Sequence, residues 1–362
     1  MVSRTTRLRG WRVMLALSMS FALLLSFAFP VSFATAQEGD CAEWSSETLQ
    51  IMAPAAPGGG WDGTAREMQA TLQNEGIVET VEVFNVEGAA GTIGLAELVS
   101  EHAGDDHMMM VMGLVMTGGI ALNESPVDLS QITPIARLTT EYEVIVVPAD
   151  SEYETIDDLM AAFVEDPGSI SWAGGSAGGV DHLLVGLLAQ EAGVDPTLIN
   201  YVPFSGGGEA LSSILGGQTT AGVSGLGEWQ GQIESGDLRA LAVSGNIGAA
   251  AAPGGADATP GATPAEGGEA IFGADIPTLM ESGIDIELAN WRGFVAPPDI
   301  SAEAQECMIQ AIETATQSES WQETLAAFGW SDFYLGGDEF GAYLASEDER
   351  VTALLKELGL IE

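Results

Sequence analysis

Short apolar runs of strand length recur along the chain, at residues 49–52, 81–86, 108–112, 144–147, 170–173, 200–202 and 240–243. Between them, apolar positions repeat every three to four residues at 64–74, 93–101, 156–164 and 180–192, the period that puts one face of a helix on a core. This alternation predicts an α/β fold with mostly parallel sheets. Helical periodicity resumes at 302–315, 319–328 and 338–358, the last after the short apolar Phe333-Tyr334-Leu335. The run Met108-Met109-Met110 reads as a buried strand, with a methionine-lined binding surface as its alternative. One stretch, 248–268, consists of Gly, Ala, Pro and Thr with a few acids, and has neither period nor bulk to pack. It reads as a solvent-exposed, disordered insertion.

The amino terminus has a separate logic. Arg4, Arg7, Arg9 and Arg12 precede an apolar stretch, and Ala34-Thr35-Ala36 makes a small-x-small cleavage site, so residues 1–36 read as a secretory signal, with an uncleaved membrane anchor as the alternative. Over the whole chain of 362 residues, Lys+Arg 10 against Asp+Glu 53 gives a net charge of −43. The signal takes four of the ten basic residues and none of the acidic ones, so residues 37–362 carry −47. That balance excludes nucleic acid and anionic membrane surfaces as partners, because both require clustered Lys and Arg. It also points to a surface adapted to high salt, where screening shortens the reach of self-repulsion. Disorder of the whole is excluded by the 46% hydrophobic content. Cys41 and Cys307 are the only cysteines, and an even count in an oxidising compartment favours a disulfide between them over two free thiols.

Three glycine-rich loops carry the candidate chemistry. In Pro57-Gly58-Gly59-Gly60-Trp61-Asp62-Gly63-Thr64, glycines lie between a strand and a helix, where backbone N–H groups and the helix dipole favour an anion. The alternative is a plain turn capped by Asp62 or Thr64. The same residues match a dinucleotide fingerprint, but Trp61 would crowd the pyrophosphate and an exported protein meets little of such a cofactor. A second loop, Gly174-Gly175-Ser176-Ala177-Gly178-Gly179, resembles the nucleophile elbow of hydrolases. That chemistry fails on histidine supply, because among His102, His107 and His182 only His182 follows Ser176, and it lies on the same helix. What remains is a donor-rich loop with a serine hydroxyl. The third loop is Ser205-Gly206-Gly207-Gly208. Ligands of α/β sheets bind beyond the carboxyl ends of strands, which is where all three loops fall. No metal-ligand spacing is present, and His102 and His107 read as part of a surface turn. Arg66 and Arg292 are placed to clamp a carboxylate or to serve as structural ion pairs.

Taken in order, Pro57-Gly58-Gly59-Gly60-Trp61-Asp62, the loop 175–179 followed by Asp181-His182-Leu183, Tyr201-Val202-Pro203-Phe204, Leu215-Gly216-Gly217-Gln218 and Asn290-Trp291-Arg292-Gly293 resemble the TctC (Bug) family. These are extracytoplasmic receptors of tripartite tricarboxylate transporters, and the resemblance runs from about residue 47 to 358, interrupted by 248–268. It implies an α/β, two-lobed, type II periplasmic-binding-protein fold with a ligand cleft between the lobes. One lobe would comprise 37–140 and 292–362 and hold both cysteines; the other would span 141–291. The implied function is capture of a small carboxylate, citrate or another di- or tricarboxylate, by a non-catalytic, cofactor-free, monomeric protein. That protein would be periplasmic or on the cell surface and would deliver its ligand to two membrane subunits. The alternatives are a receptor acting on a signalling partner and an exported α/β enzyme. The implied ligand residues are Gly58, Gly59, Gly60, Trp61, Asp62, Ser176, Ala177, Gly178, Gly179, His182, Ser205, Gly206, Gly207 and Arg292. Charge repulsion between such a protein and an anion would be relieved by salt screening, or by carrying the ligand as a Mg or Ca complex.

Overall fold

The computed structural model describes residues 41–247 and 272–362. The expected signal at 1–36 and the expected insertion at 248–268 lie outside them. Among the described residues, ten strands build the sheet: β1 (Thr48–Ala53), β2 (Thr80–Asn85), β3 (Met108–Gly113), β4 (Thr133–Pro148), β5 (Ser171–Gly174), β6 (Asn200–Pro203), β7 (Ala221–Gly225), β8 (Leu238–Val243), β9 (Ala289–Ala296) and β10 (Ser331–Gly336). Its principal path runs β2-β1-β3-β9-β4-β7-β5-β6, with β8 and β10 also pairing with β4.

The 16-residue β4 organises this path. From Thr133 to Tyr142 it pairs with β9, and it holds β10 on the same stretch. From Glu143 to Pro148 it pairs with β7 and β8 instead. One strand therefore serves two half-sheets, and the change of partner falls between Tyr142 and Glu143. Parallel pairing is confined to β1 with β2 and β3, and β5 with β6 and β7. Every pairing of β4 and β9 is antiparallel, so the expectation of mostly parallel sheets is corrected to a mixed sheet. The reason is that strands which cross between halves must run back against their neighbours.

The core follows from sequence at several points. Met108–Gly113 is buried at every position, which makes the methionine run a central strand and not a binding surface. Full burial of each such side chain contributes roughly 1.5–3 kcal/mol. The helices Ile156–Glu165, Ala302–Thr316 and Glu319–Phe328 begin where Thr155, Ser301 and Ser318 accept a backbone N–H, the capping that fixes a helix start. Leu114–Leu122 forms a helix that periodicity could not signal, since it is apolar nearly all round and buried on most faces. Cys41 and Cys307 form a disulfide, their Cα atoms 5.5 Å apart, tying the first short helix Ala42–Ser46 to Ala302–Thr316.

Candidate functional site

Beyond the carboxyl ends of β1, β5 and β6, the chain turns through glycine loops into helices, as pattern and composition led one to expect. These turns surround a cavity of about 400 Å³ between the two half-sheets. Four helices point their amino ends at it: Gly60–Asn74, Thr92–Glu101, Val180–Glu191 and Gly207–Leu215. Their N-cap residues are Gly59, Gly91, Gly179 and Gly206, which line the cavity and offer no side chain to cap the helix. The first-turn N–H groups of these helices are thus left for a ligand, with about half a positive charge at each helix end. Leu114–Leu122 and Gly337–Glu357 are also glycine-capped, but Gly113 and Gly336 do not line this cavity.

Three of the loops share a device. The Gly58 N–H donates to Asp62 Oδ2 at 2.8 Å, the Gly175 N–H to Asp181, and the Ser205 N–H to Glu209 Oε2 at 3.0 Å. Each acid sits in the first turn of the following helix and folds back onto the start of its own loop, fixing the loop. Asp62 also receives Asn85 Nδ2 at 2.8 Å and Arg66 Nε at 3.0 Å. Burial opposes its charge, but these bonds outweigh that and hold its carboxyl below the usual range.

Of the residues expected at the site, Gly59, Gly60, Trp61, Ser176, Ala177, Gly179, Ser205, Gly206, Gly207 and Arg292 line the cavity. Gly58, Asp62, Gly178 and His182 stand behind the wall. His182 Nδ1 accepts the Gly178 N–H at 3.1 Å and its ring stacks on Tyr201 at 4.3 Å. Burial lowers its pKa to about 4, so it is a neutral part of the loop's support. Sequence reasoning missed the Gly88-Ala89-Ala90-Gly91 turn, Asn290, Ser224 and Gly225 at the end of β7, and Glu228 in the turn after it, all of which contribute to the wall.

It also missed the acids beneath the cavity, which gather around the expected Arg292. Arg292 on β9 is 3% exposed and directs Nη1 to Gly60 O and Thr64 Oγ1, both at 3.2 Å, and Nη2 to Glu141 on β4. Glu228 Oε1 lies 3.7 Å from the same Nη2. Glu141 further accepts Trp330 Nε1 at 3.1 Å. Glu143, two residues along β4 and on the same face, has neither carboxyl oxygen in a hydrogen bond and lies beside the Asp181 carboxyl, a like charge that disfavours its ionisation. Burial, reinforced by the neighbouring acids, pushes Glu143 well up; burial also raises Asp181 to about 6 and, with the charge of Glu141, Glu228 to about 7. Burial raises Glu141 too, against the pull of Arg292. The other arginines among the described residues are engaged elsewhere: Arg66 with Asp62, Arg137 between the rings of Phe333 and Tyr343, Arg239 on three backbone carbonyls, and Arg350 on Glu347. Among the described residues no group of three or more His, Cys, Asp or Glu is arranged to hold a metal ion.

A sequence model of the tripartite tricarboxylate transporter family receptor, TctC, matches residues 64–258, more than half of the chain. Protein BugT of Bordetella pertussis is 25% identical over 321 residues, covering 87% of this chain and 90% of that protein. Among solved structures, the periplasmic binding protein BugD matches with a TM-score of 0.72 and 20% identity, over 87% of this chain and 98% of that one. MatC from Rhodopseudomonas palustris, solved with bound malate, matches with a TM-score of 0.70 and 19% identity, over 85% and 98%. At these identities the structural likeness shows the fold, which is the two-lobed periplasmic-binding-protein architecture. The residues matched by the family model include the second and third glycine loops, and the first helix from Thr64 onward: the chain belongs to the TctC family of tripartite tricarboxylate transporter receptors.

Proposed function

We propose that this protein is an exported, non-catalytic receptor that captures a small carboxylate in the cavity between its lobes and delivers it to two membrane subunits of a tripartite tricarboxylate transporter. In this reading the lobes divide at β4 and β9, where Glu141 and Trp291 lie, and close on the ligand as the two half-sheets rotate about those strands. The observation that carries it is the convergence of four glycine-capped helix amino ends on one cavity. Such an array supplies N–H donors and positive potential to a carboxylate without any cationic side chain. Bound malate in MatC supports the same ligand class. Against catalysis stands His182, held by the Gly178 N–H and so unable to serve Ser176 as a base. Among the described residues no helix is long and apolar enough to cross a membrane.

The test is a thermal-shift screen of the purified protein against di- and tricarboxylates, monocarboxylates and uncharged sugars. A carboxylate present at about 100 times its dissociation constant adds about 2.7 kcal/mol and raises the melting temperature by a few degrees. Stabilisation by carboxylates alone is the expected result. Stabilisation by sugars and not by carboxylates would overturn the reading.

A further inference from the structure

Resting on the carboxylate reading, we infer that this receptor takes up a proton as it captures its acid, and that Glu228 is the group that receives it. Glu228 belongs to the turn Leu226–Trp229 after β7 and lines the cavity. Its carboxyl lies against the first residues of two helices, one from each half-sheet. A Cβ on Gly60 would stand 2.6 Å from Oε1, and a Cβ on Gly207 would run into Oε2. These residues open Gly60–Asn74 and Gly207–Leu215, two of the four helices whose amino ends converge on the cavity. An ionised Glu228 therefore already draws on the positive potential that a bound carboxylate would use. Two anions in that field repel each other, and the resident one is relieved of its charge by a proton.

The groups around Glu228 give its charge little other support. Arg292 on β9 is 3.7 Å away, with Nη1 committed to Gly60 O and Thr64 and Nη2 to Glu141. Glu141 and Glu143 on β4 and Asp181 at the start of Val180–Glu191 add like charges, and Asp181 is itself engaged by the Gly175 N–H. Oε2 of Glu228 accepts no hydrogen bond, although the Ser224 hydroxyl on β7 stands beside it. Glu209 and Glu234, on the two helices packed against this turn, are exposed and bonded to the Ser205 N–H and to Gln230. Asp62 and Arg66, on Gly60–Asn74, pair with each other. Burial and the charge of Glu141 already bring Glu228 to about 7, and an acid arriving at the helix ends pushes it higher still. The protonated protein is then the tighter binder. Affinity is complete below about 7 and is lost as pH rises above it.

The experiment is calorimetric titration of the protein with acetate, lactate, malate, tartrate and benzoate between about pH 6.5 and about pH 8.5, in PIPES, HEPES and Tris buffers. These acids are ionised throughout that range, so their own titration adds nothing. The change of apparent enthalpy with the ionisation enthalpy of the buffer counts the protons taken up. For any probe that binds, uptake is expected to climb from a fraction toward one proton per acid, with affinity falling up to about tenfold per pH unit above about 7. Glu228→Gln should abolish the uptake and leave affinity level across the range. Should that variant fail to fold, Ser224→Ala, which removes a hydroxyl that favours the charged form, should move the fall in affinity to higher pH. Binding by the parent protein without proton uptake, uptake unchanged in Glu228→Gln, or a fall left in place by Ser224→Ala would overturn the inference and leave the carboxylate reading standing. Binding of none of the probes by the folded protein at any pH would defeat both.

Discussion

Arg292 and Glu228 come within 3.7 Å of each other over the Cα of Gly60, one from β9 and the other from the turn after β7. A Cβ on Gly60 would lie 2.6 Å from Glu228 Oε1 and 2.9 Å from Arg292 Cζ. Gly60 is thus a spacer for a buried ion contact as well as the first residue of a helix.

Gly60→Ala is therefore expected to push both side chains aside, destabilising the protein by about 1–3 kcal/mol and weakening ligand binding. Thermal melts and titration of the bound acid check this. Gly63→Ala, where a Cβ meets nothing within 4 Å, is the matched control and should change neither quantity.

Asp62 shapes the first loop from behind. Its replacement by Ala frees the Gly58 N–H and removes one of the two bonds donated by Asn85 Nδ2, so the expected outcome is a folded protein with weaker affinity and a stability loss of about 1–3 kcal/mol. Ser176→Ala, on the cavity wall, should weaken binding with little change in melting temperature. Normal binding by both variants would remove the cleft from consideration.

Asp181 and Glu228 carry raised pKa values, about 6 and about 7, against ordinary values of 3.8 and 4.5. The folded protein holds protons there that the unfolded chain releases. Their stabilising contribution is complete below the unfolded values and is lost as pH climbs through about 6 and then about 7. Melting temperatures of the ligand-free protein should fall between roughly pH 5 and pH 8. In Glu228→Gln the upper part of that fall should disappear.

The disulfide closes a loop with a sequence separation of 266. In the chain-entropy account it contributes up to about 5 kcal/mol, so Cys41→Ser with Cys307→Ser should melt well below the parent protein. The cavity is lined by neither residue, and affinity at a temperature where the variant is folded should be unchanged.

With a net charge of −43, the chain repels itself in dilute buffer. Raising salt toward 1 M shrinks the screening length to about 3 Å, and melting temperature should rise with it. A chloride and sulfate series separates screening from the anion-specific effect of sulfate on burial.

Much of this was legible in the sequence because it is local. Glycines between a strand run and a helix run announce an uncapped helix end, and the acid in the next turn lies only four to six residues away, as in Gly58 with Asp62. The acids beneath the cavity were not legible. Glu141 and Glu143 alternate with Tyr142 and Val144 in a strand, the spacing that places both acids on one face, yet in a chain with 53 acids this is no signal. The burial of Glu141 depends on Arg292 and Trp330, more than a hundred residues away. β7 and β9 were hidden for a related reason: Ala221–Gly225 is too small and glycine-rich to read as a strand, and Ala289–Ala296 interrupts its apolar residues with Asn290 and Arg292.

The glycine-capped helix ends have a consequence for how such a receptor can diversify. A backbone N–H belongs to every residue except proline, so a grip on an anion through such helix ends, as proposed here, would be encoded in chain path and survive most point substitutions that leave that path intact. Discrimination among anions must then be encoded in the few side chains that reach the cavity, Asn290, Glu228 and Ser176 among them. Ligand preference and anion affinity are in this sense inherited separately, and the first can drift while the second stays.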